Sequence, residues 1–303
     1  MAERTRLSSR ALLNLALLLL VAALATFVAL HPAKKKAPPP RLTNLAPDQI
    51  KSIRIERQGH VAITLAKQAG GHWRILAPID TPANDFRINN LLRLARARSY
   101  AQYPVAGLAL DKFKLQTPAL KVFFNAQEID FGGTEPLNQR RYVKVGDAVH
   151  LISSRYYHML NAALPSYVSL NLLPPGSRIT ALHLPQLTLL HQGTARWTLT
   201  PHMPGVSADA IHSLVQAWQN AGALWVQRYK KTSKTPLDHV TLDLQGEKQP
   251  LRFEIVTRKS ELVMARPDIG MEYHLPRNAA QHLLKLPQTP QPAPALTKRS
   301  LTK

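Results

Sequence analysis

The longest uninterrupted hydrophobic stretch of the chain lies near its N-terminus. Residues 11–30 carry no charged side chain, and only Asn14 and Thr26 among them are polar. As a helix this stretch rises about 30 Å, which matches the hydrocarbon core of a bilayer. Three arginines precede it. The pattern therefore predicts a transmembrane anchor at 11–30 after a cytoplasmic tail at 1–10.

A cleaved signal peptide is the alternative, because Ala23-Leu24-Ala25 has the small residues typical of a cleavage site. The hydrophobic stretch continues beyond that site to Leu30, which favours a retained anchor. Basic residues flank both ends, so the positive-inside rule leaves the orientation open. A signal anchor normally keeps its short tail in the cytoplasm. We therefore expect a single-pass protein of the bacterial inner membrane with its body in the periplasm.

Proline-rich segments delimit the folded body. Residues 31–47 contain three consecutive lysines and three consecutive prolines, which favour an extended, stiff spacer. Residues 288–303 combine prolines with basic residues and predict a disordered basic tail. Between them the hydrophobic pattern predicts two domains, at 48–163 and 176–287.

The hydrophobic pattern of the body occurs twice. Trp73 and Trp197 each follow a stretch of alternating apolar residues, and each is followed by a proline, Pro78 or Pro201. In both halves a capped helix comes next, with apolar residues at i, i+3, i+4 and i+7. These residues are Ile88, Leu91, Leu92 and Ala95 in the first half and Ile211, Leu214, Val215 and Trp218 in the second.

Alternating strands and a short closing helix complete each half. Each half therefore predicts an α+β domain, in which the long helix packs on one face of an antiparallel sheet. The predicted fold is an N-terminal transmembrane helix followed by two tandem repeated α+β domains with antiparallel sheets. The alternative is that two ordinary α+β domains resemble each other by chance.

The same motifs resemble a known family. They are Trp73-Arg74-Ile75, Pro78, the helix start at Asp85, Leu110-Asp111 with Thr117-Pro118, and a strand pair at 142–152. The chain resembles a bacterial domain-of-unknown-function family of N-terminally anchored envelope proteins, some of which accompany gliding-motility-type ABC transporters. The resemblance covers most of 48–287. It implies an envelope location and a membrane complex as partner, and it supplies no catalytic residues.

Composition and charge exclude several classes of site and partner. The chain has no cysteine, which excludes disulfides and thiolate metal or redox sites. Its net charge is +21, of which residues 1–30 hold +2, residues 31–47 hold +4 and the tail from 288 holds +3. Anionic inner-membrane lipid is a plausible contact for these segments. Aromatic residues make up only 6% and do not alternate with the basic clusters, so we expect no nucleic-acid partner.

Motifs for chemistry are missing from the sequence. The paired glycines Gly70-Gly71 and Gly132-Gly133 lack the spacing of phosphate-binding loops and predict hairpin turns. The twelve histidines do not have metal-ligand spacing, and His150 and His274 hold equivalent positions of the repeat. Most carboxylates fall at predicted turns and caps. We therefore expect no catalytic, cofactor-binding or metal-binding residue, and no enzyme.

Basic clusters are the remaining candidates for contact. A predicted helix at 85–98 carries Arg87, Arg93, Arg96 and Arg98 off its apolar stripe. They form a candidate contact site for anionic lipid or an acidic partner, and the alternative is a solvated helix surface. The basic run 228–231 has the same two interpretations. The tryptophans could line a ligand groove, but Trp218 lies on the apolar stripe, which favours core packing.

Three functions are consistent with this pattern. The first is a non-enzymatic accessory or scaffold protein of a membrane complex. The second is a periplasmic module that binds a peptide, glycan or small ligand in a groove between the two repeats, and the third is a hydrolase with an unrecognised site. A cleft with convergent polar groups between the repeats would favour the second. A flat interface with an exposed apolar patch would favour the first.

Overall fold

The computed structural model describes residues 9–30, 40–193, 196–230 and 236–287, and the chain forms two compact units, Met1–Pro40 and Arg41–Lys303. The first unit contains helix α1, Ser9–Leu30, of 22 residues. A search of the described residues finds no helix with both the length and the apolar character that crossing a membrane requires. Most of the predicted tail at 1–10, residues 31–39 of the predicted spacer and the tail 288–303 lie outside the described residues.

The second unit is built from strands, and its first half contains nine of them. They are β1 Ser52–Arg57, β2 His60–Lys67, β3 Trp73–Ala77, β4 Thr81–Pro82, β5 Ala101–Pro104, β6 Leu120–Phe124, β7 Gln127–Thr134, β8 Arg140–Val145 and β9 Ala148–Ser153. Two α-helices accompany them, α2 Asp85–Leu92 and α3 Arg155–Leu160. Short 3-10 helices lie at Pro47–Gln49, Arg93–Arg96 and Leu164–Tyr167.

The described part of the second half contains eight strands. They are β10 Ile179–His183, β11 Thr188–Gln192, β12 Arg196–Thr200, β13 Trp225–Arg228, β14 Asp238–Leu244, β15 Leu251–Thr257, β16 Leu262–Arg266 and β17 Met271–Leu275. Its α-helices are α4 Ala208–Gln219 and α5 Ala279–Leu283.

The two sheets share one strand order. The first runs β4-β3-β2-β1-β6-β7-β8-β9-β5, and the second runs β12-β11-β10-β14-β15-β16-β17-β13. Every strand pairing within them is antiparallel, and β4 is the extra edge strand of the first sheet. The prediction of an α+β fold with two antiparallel sheets is confirmed.

Residues at equivalent positions cap the long helix of each half and form its buried face. The Asn84 side chain accepts a hydrogen bond from the Arg87 amide, and the Ser207 hydroxyl accepts one from the Ala210 amide, both at 3.1 Å. These caps satisfy amides that a helix start leaves unpaired. The predicted apolar stripes are buried in both halves. The predicted helix at 85–98 is shorter than expected, because α2 ends at Leu92 and a 3-10 turn follows.

The segment that follows α3 ties the two halves together. The Asn84 amide donates to the carbonyl of Tyr167 at 2.8 Å, and the Ala223 amide donates to the carbonyl of Leu170 at 2.8 Å. One cluster of buried side chains draws on both halves. Because the connecting segment forms hydrogen bonds with both halves and the halves share one buried core, both sheets belong to one compact unit.

The predicted spacer at 31–47 extends too far toward the body. Leu42 and Thr43 are buried, and their amides donate to the carbonyls of Ala97 and Ala95 at 2.9 and 3.0 Å. The Thr43 hydroxyl also donates to the Ala95 carbonyl at 2.7 Å. These residues therefore belong to the folded body.

The two glycine pairs have different roles. Gly70-Gly71 lies in the turn between β2 and β3, as predicted. Gly132-Gly133 lies inside β7, so the prediction of a hairpin turn there is wrong. The Gly133 amide donates to the carbonyl of Phe113 at 2.7 Å, which brings the connection between β5 and β6 against the strand. The absence of side chains at this pair makes the close approach possible.

Candidate functional site

The four arginines proposed as one contact site lie in different settings. Arg87 is half-buried: its Nη2 donates to the Met159 carbonyl at 3.0 Å, and its guanidinium carbon lies 5.0 Å from the centre of the Tyr167 ring. Arg93 and Arg96 are exposed on the 3-10 turn. Arg98 lies beyond that turn, 4.9 Å from the Tyr100 ring centre. The structure therefore does not bring the four together on one helix face.

Arg87 belongs to a cluster that caps the end of α3. Arg57 donates from Nη1 to the carbonyl of Ala162 at 2.5 Å, and the Tyr167 hydroxyl lies 2.9 Å from the Met159 carbonyl oxygen. The last carbonyls of a helix lack intrahelical partners and carry partial negative charge. Burial raises the pKa of Tyr167 to about 12, so its hydroxyl stays protonated and can donate. The contacts of Arg57, Arg87 and Tyr167 are therefore explained by the carbonyl groups at the end of α3.

A groove of about 670 Å³ lies where the two halves meet. The first half contributes the turn between β1 and β2, the turn between β3 and β4, and residues 161–164 after α3. The second half contributes the end of β13 and the turn between β16 and β17. The lining residues are Arg57, Gly59, His60, Val61, Ile63, Pro78, Ile79, Asn161, Ala163, Leu164, Arg228, Ile269, Gly270 and Met271.

The lining of the groove combines cations with an apolar wall. Arg57 and Arg228 contribute two guanidinium groups, one from each half, and none of the described lining residues is a carboxylate. The Nε of Arg57 is buried and has no hydrogen-bond partner among the described residues. Aliphatic side chains form most of the remaining wall. The groove can therefore bind a ligand that joins an anionic group to an apolar body.

The sequence contained only a partial signal for this groove. The basic run 228–231 is a predicted contact candidate; its first residue, Arg228, lines the groove, whereas Lys231 lies outside the described residues. The sequence does not indicate Arg57, because a single arginine at a strand end has no characteristic spacing.

The histidines at equivalent positions have unlike partners. His150 is buried beside the Ser99 hydroxyl at 3.0 Å, and burial lowers its pKa, so the neutral ring is favoured. His274 lies 3.0 Å from a Glu261 oxygen and stacks on Trp225 with ring centres 3.5 Å apart. Over the described residues, no three histidine, aspartate or glutamate side chains are placed to hold a metal ion.

A buried carboxylate that sequence reasoning missed lies on β7. Asp130 is 5% exposed, and its oxygens lie 3.7 Å from the Lys121 ammonium and 3.2 Å from that of Lys144. Register explains the arrangement, since Asp130 pairs with Lys121 on β6 and with Lys144 on β8. Burial raises the pKa of Asp130, against the opposing effect of the two lysines. None of these three residues lines a described cavity. Asp130 and the two lysines therefore form cross-strand ion pairs.

The tryptophans do not line the groove. Trp218 is fully buried and Trp73 is 2% exposed, which confirms core packing for Trp218. Trp225 is 44% exposed on the edge strand β13. The groove is thus lined by aliphatic and cationic side chains, without an indole platform.

Comparison with known proteins identifies a family. Residues 73–242 match the family described as "Domain of unknown function (DUF4340)", and the match runs from β3 in the first half to β14 in the second. No curated protein and no solved structure matches the chain. Because the matched residues make up more than half of the chain, the protein belongs to this family of unknown function.

Proposed function

We propose that the protein is a non-enzymatic binding module whose ligand occupies the groove between its two halves. The observation that carries the proposal is the placement of Arg57 and Arg228 on opposite halves of one groove whose described lining residues include no carboxylate. A site that presents two guanidinium groups beside an apolar wall is complementary to an amphipathic anion. The volume, about 670 Å³, lies within the usual range of ligand sites.

The lining favours binding over catalysis. The described residues around the groove include no serine, threonine, lysine or carboxylate that could act as a nucleophile. His60 is the one histidine among the described lining residues. A general acid–base mechanism needs partners placed within hydrogen-bond reach of the reacting groups, and the groove supplies no second such group.

We further propose that the ligand is an extended peptide segment with acidic and aliphatic side chains. Aliphatic walls at Ile79, Leu164 and Met271 suit aliphatic side chains, and the two arginines suit carboxylates. Turns of both halves contribute to the lining, so an extended segment in the groove would contact both halves. In an accessory role in a membrane complex, an ABC transporter among the candidates, this segment would belong to a partner subunit.

Reversing the charge of Arg228 is expected to weaken peptide binding by about tenfold or more. The full chain in detergent would be used to select short random peptides, and enriched sequences are expected to combine Asp or Glu with Leu, Ile or Val. Arg228→Glu places a negative charge at an exposed position, so the fold should be retained. Affinity would be measured by calorimetry for the wild type and this variant.

Arg252→Glu is the matched control, because Arg252 is exposed on β15 and lies outside the groove. It is expected to bind the selected peptides as the wild type does. Selection without enrichment of acidic residues, or equal affinities of the two variants, would contradict the proposed function.

Attachment to the inner membrane through residues 11–30, with the body in the periplasm, is part of the same proposal. Its support is the uncharged apolar stretch that follows three arginines. A phosphatase that is active only in the periplasm is expected to be active when fused after Lys303 and inactive when fused after Arg10. A stable but inactive fusion after Lys303 would refute this orientation.

A further inference from the structure

A second cavity, of about 790 Å³, lies in the first half. It is enclosed by the connection between β5 and β6 on one side and by β7, β8 and α3 on the other. It shares no lining residue with the groove between the halves. Whatever occupies it therefore binds independently of the groove.

Arg141 is an unpaired cation at this cavity. Its Nη1 donates to the Gly132 carbonyl at 2.9 Å, and its guanidinium carbon lies 3.8 Å from the centre of the Tyr157 ring. Its Nε is buried without a hydrogen-bond partner, and no ion pair among the described residues includes it. Partial burial lowers the pKa of the Arg141 guanidinium, but an arginine keeps its charge in proteins. A partly desolvated charge of this kind is stabilised by an anion.

The other charged groups of the cavity add to the positive potential. Lys112 and Lys114 line it from the connection between β5 and β6, and neither belongs to an ion pair of the described residues. Asp111 is the one carboxylate among the described lining residues. Thr117 and Thr134 add hydroxyl donors. Three cations against one carboxylate suit a phosphate group, which carries more negative charge than a single carboxylate and has several acceptor oxygens.

We propose that this cavity binds a phosphate group, carried by a phospholipid headgroup or by a soluble phosphate. The Arg141 guanidinium would donate to a phosphate oxygen, and the two lysines would contribute charge from the connection between β5 and β6. The hydrogen bond from the Gly133 amide to the Phe113 carbonyl holds against β7 the connection that carries both lysines.

Calorimetry with inorganic phosphate on the full chain in neutral detergent tests the proposal. If the ligand is a soluble phosphate, saturable binding is expected for the wild type, with a loss of about tenfold in Arg141→Gln and a smaller loss in Lys112→Gln. Lys112 is exposed, so the second variant keeps the test valid if Arg141→Gln does not fold. Lys67→Gln, an exposed lysine outside the cavity, is the matched control and should bind as the wild type does.

Flotation with vesicles distinguishes the two sources of phosphate. Binding to phosphatidylglycerol vesicles that falls in Lys112→Gln but not in Lys67→Gln, without binding of inorganic phosphate, identifies a lipid headgroup. Saturable binding of inorganic phosphate with the same dependence on the variants identifies a soluble ligand. If neither probe binds, or if all variants bind equally, the proposal is overturned.

Discussion

Replacing Trp218 by alanine is expected to lower the free energy of unfolding by about 4 kcal/mol. Trp218 is fully buried on α4, and its ring centre lies 6.0 Å from that of Phe253 on β15. Its indole nitrogen donates to the Leu283 carbonyl at 2.8 Å, which links α4 to α5. The substitution would leave a large cavity and an unpaired carbonyl at the same position. Urea unfolding followed by circular dichroism would measure the loss.

Two variants separate the causes of this effect. Trp218→Phe keeps most of the buried volume but loses the hydrogen bond, so a loss of about 1–2 kcal/mol is expected. Trp225→Ala changes a tryptophan that is 44% exposed, and a loss of about 1 kcal/mol or less is expected. Equal losses for Trp218→Ala and Trp225→Ala would contradict the assignment of Trp218 to the core.

Replacing Gly132 by alanine is expected to cost about 3 kcal/mol of stability. A Cβ at this position would overlap the carbonyl oxygen of Phe113 and lie 2.8 Å from the Cγ of Leu115. The carbonyl belongs to the backbone, so the whole connection between β5 and β6 would have to shift. That connection also lines the cavity at Arg141, and its displacement should move Lys112 and Lys114.

Gly222→Ala provides the comparison for Gly132→Ala. The atom nearest to an added Cβ at Gly222 is 3.7 Å away, which is ordinary van der Waals contact. We expect a change within about 1 kcal/mol in either direction, measured by the same urea unfolding. Similar losses at both positions would show that β7 and the connection are not in the close contact described above.

Much of the fold could be predicted from local patterns. The caps at Asn84 and Ser207, the apolar stripes of α2 and α4 and the strands around Trp73 depend on neighbouring residues, and their recurrence predicted two antiparallel sheets. The order of strands within the sheets could not be predicted, because pairing depends on contacts between distant segments. The identity of the strand orders became visible only in the structure.

Tertiary contacts overturned one local prediction and gave another residue a partner that the sequence does not indicate. Gly132-Gly133 has the composition of a turn, but a passing backbone segment decides its role inside β7. Arg87 lies off the apolar stripe of its helix, as a surface residue would, yet the end of α3 lies within reach of its guanidinium. Sequence spacing alone contains no information on either neighbour.

A groove between the two repeats is one of the predicted alternatives, but its lining residues could not be predicted, for the same reason. Its lining comes from segments separated by more than two hundred residues, from Arg57 to Met271, and each segment is ordinary in isolation. The repeat indicates the groove indirectly, because two similar halves that share one core have an interface between them. The cavity at Arg141 is similarly composed of a strand residue and a distant connection.

In vivo photo-crosslinking from inside the groove tests the central claim most directly. A photoreactive amino acid would replace Val61, which lines the groove and is 71% exposed, or Leu137, which is 90% exposed and lies outside it. The proposed function predicts a discrete crosslinked product from position 61 that mass spectrometry assigns to an acidic peptide segment. It also predicts that Arg228→Glu removes this product and that position 137 does not form it. The same product from both positions, or one that Arg228→Glu leaves unchanged, would contradict a ligand in the groove.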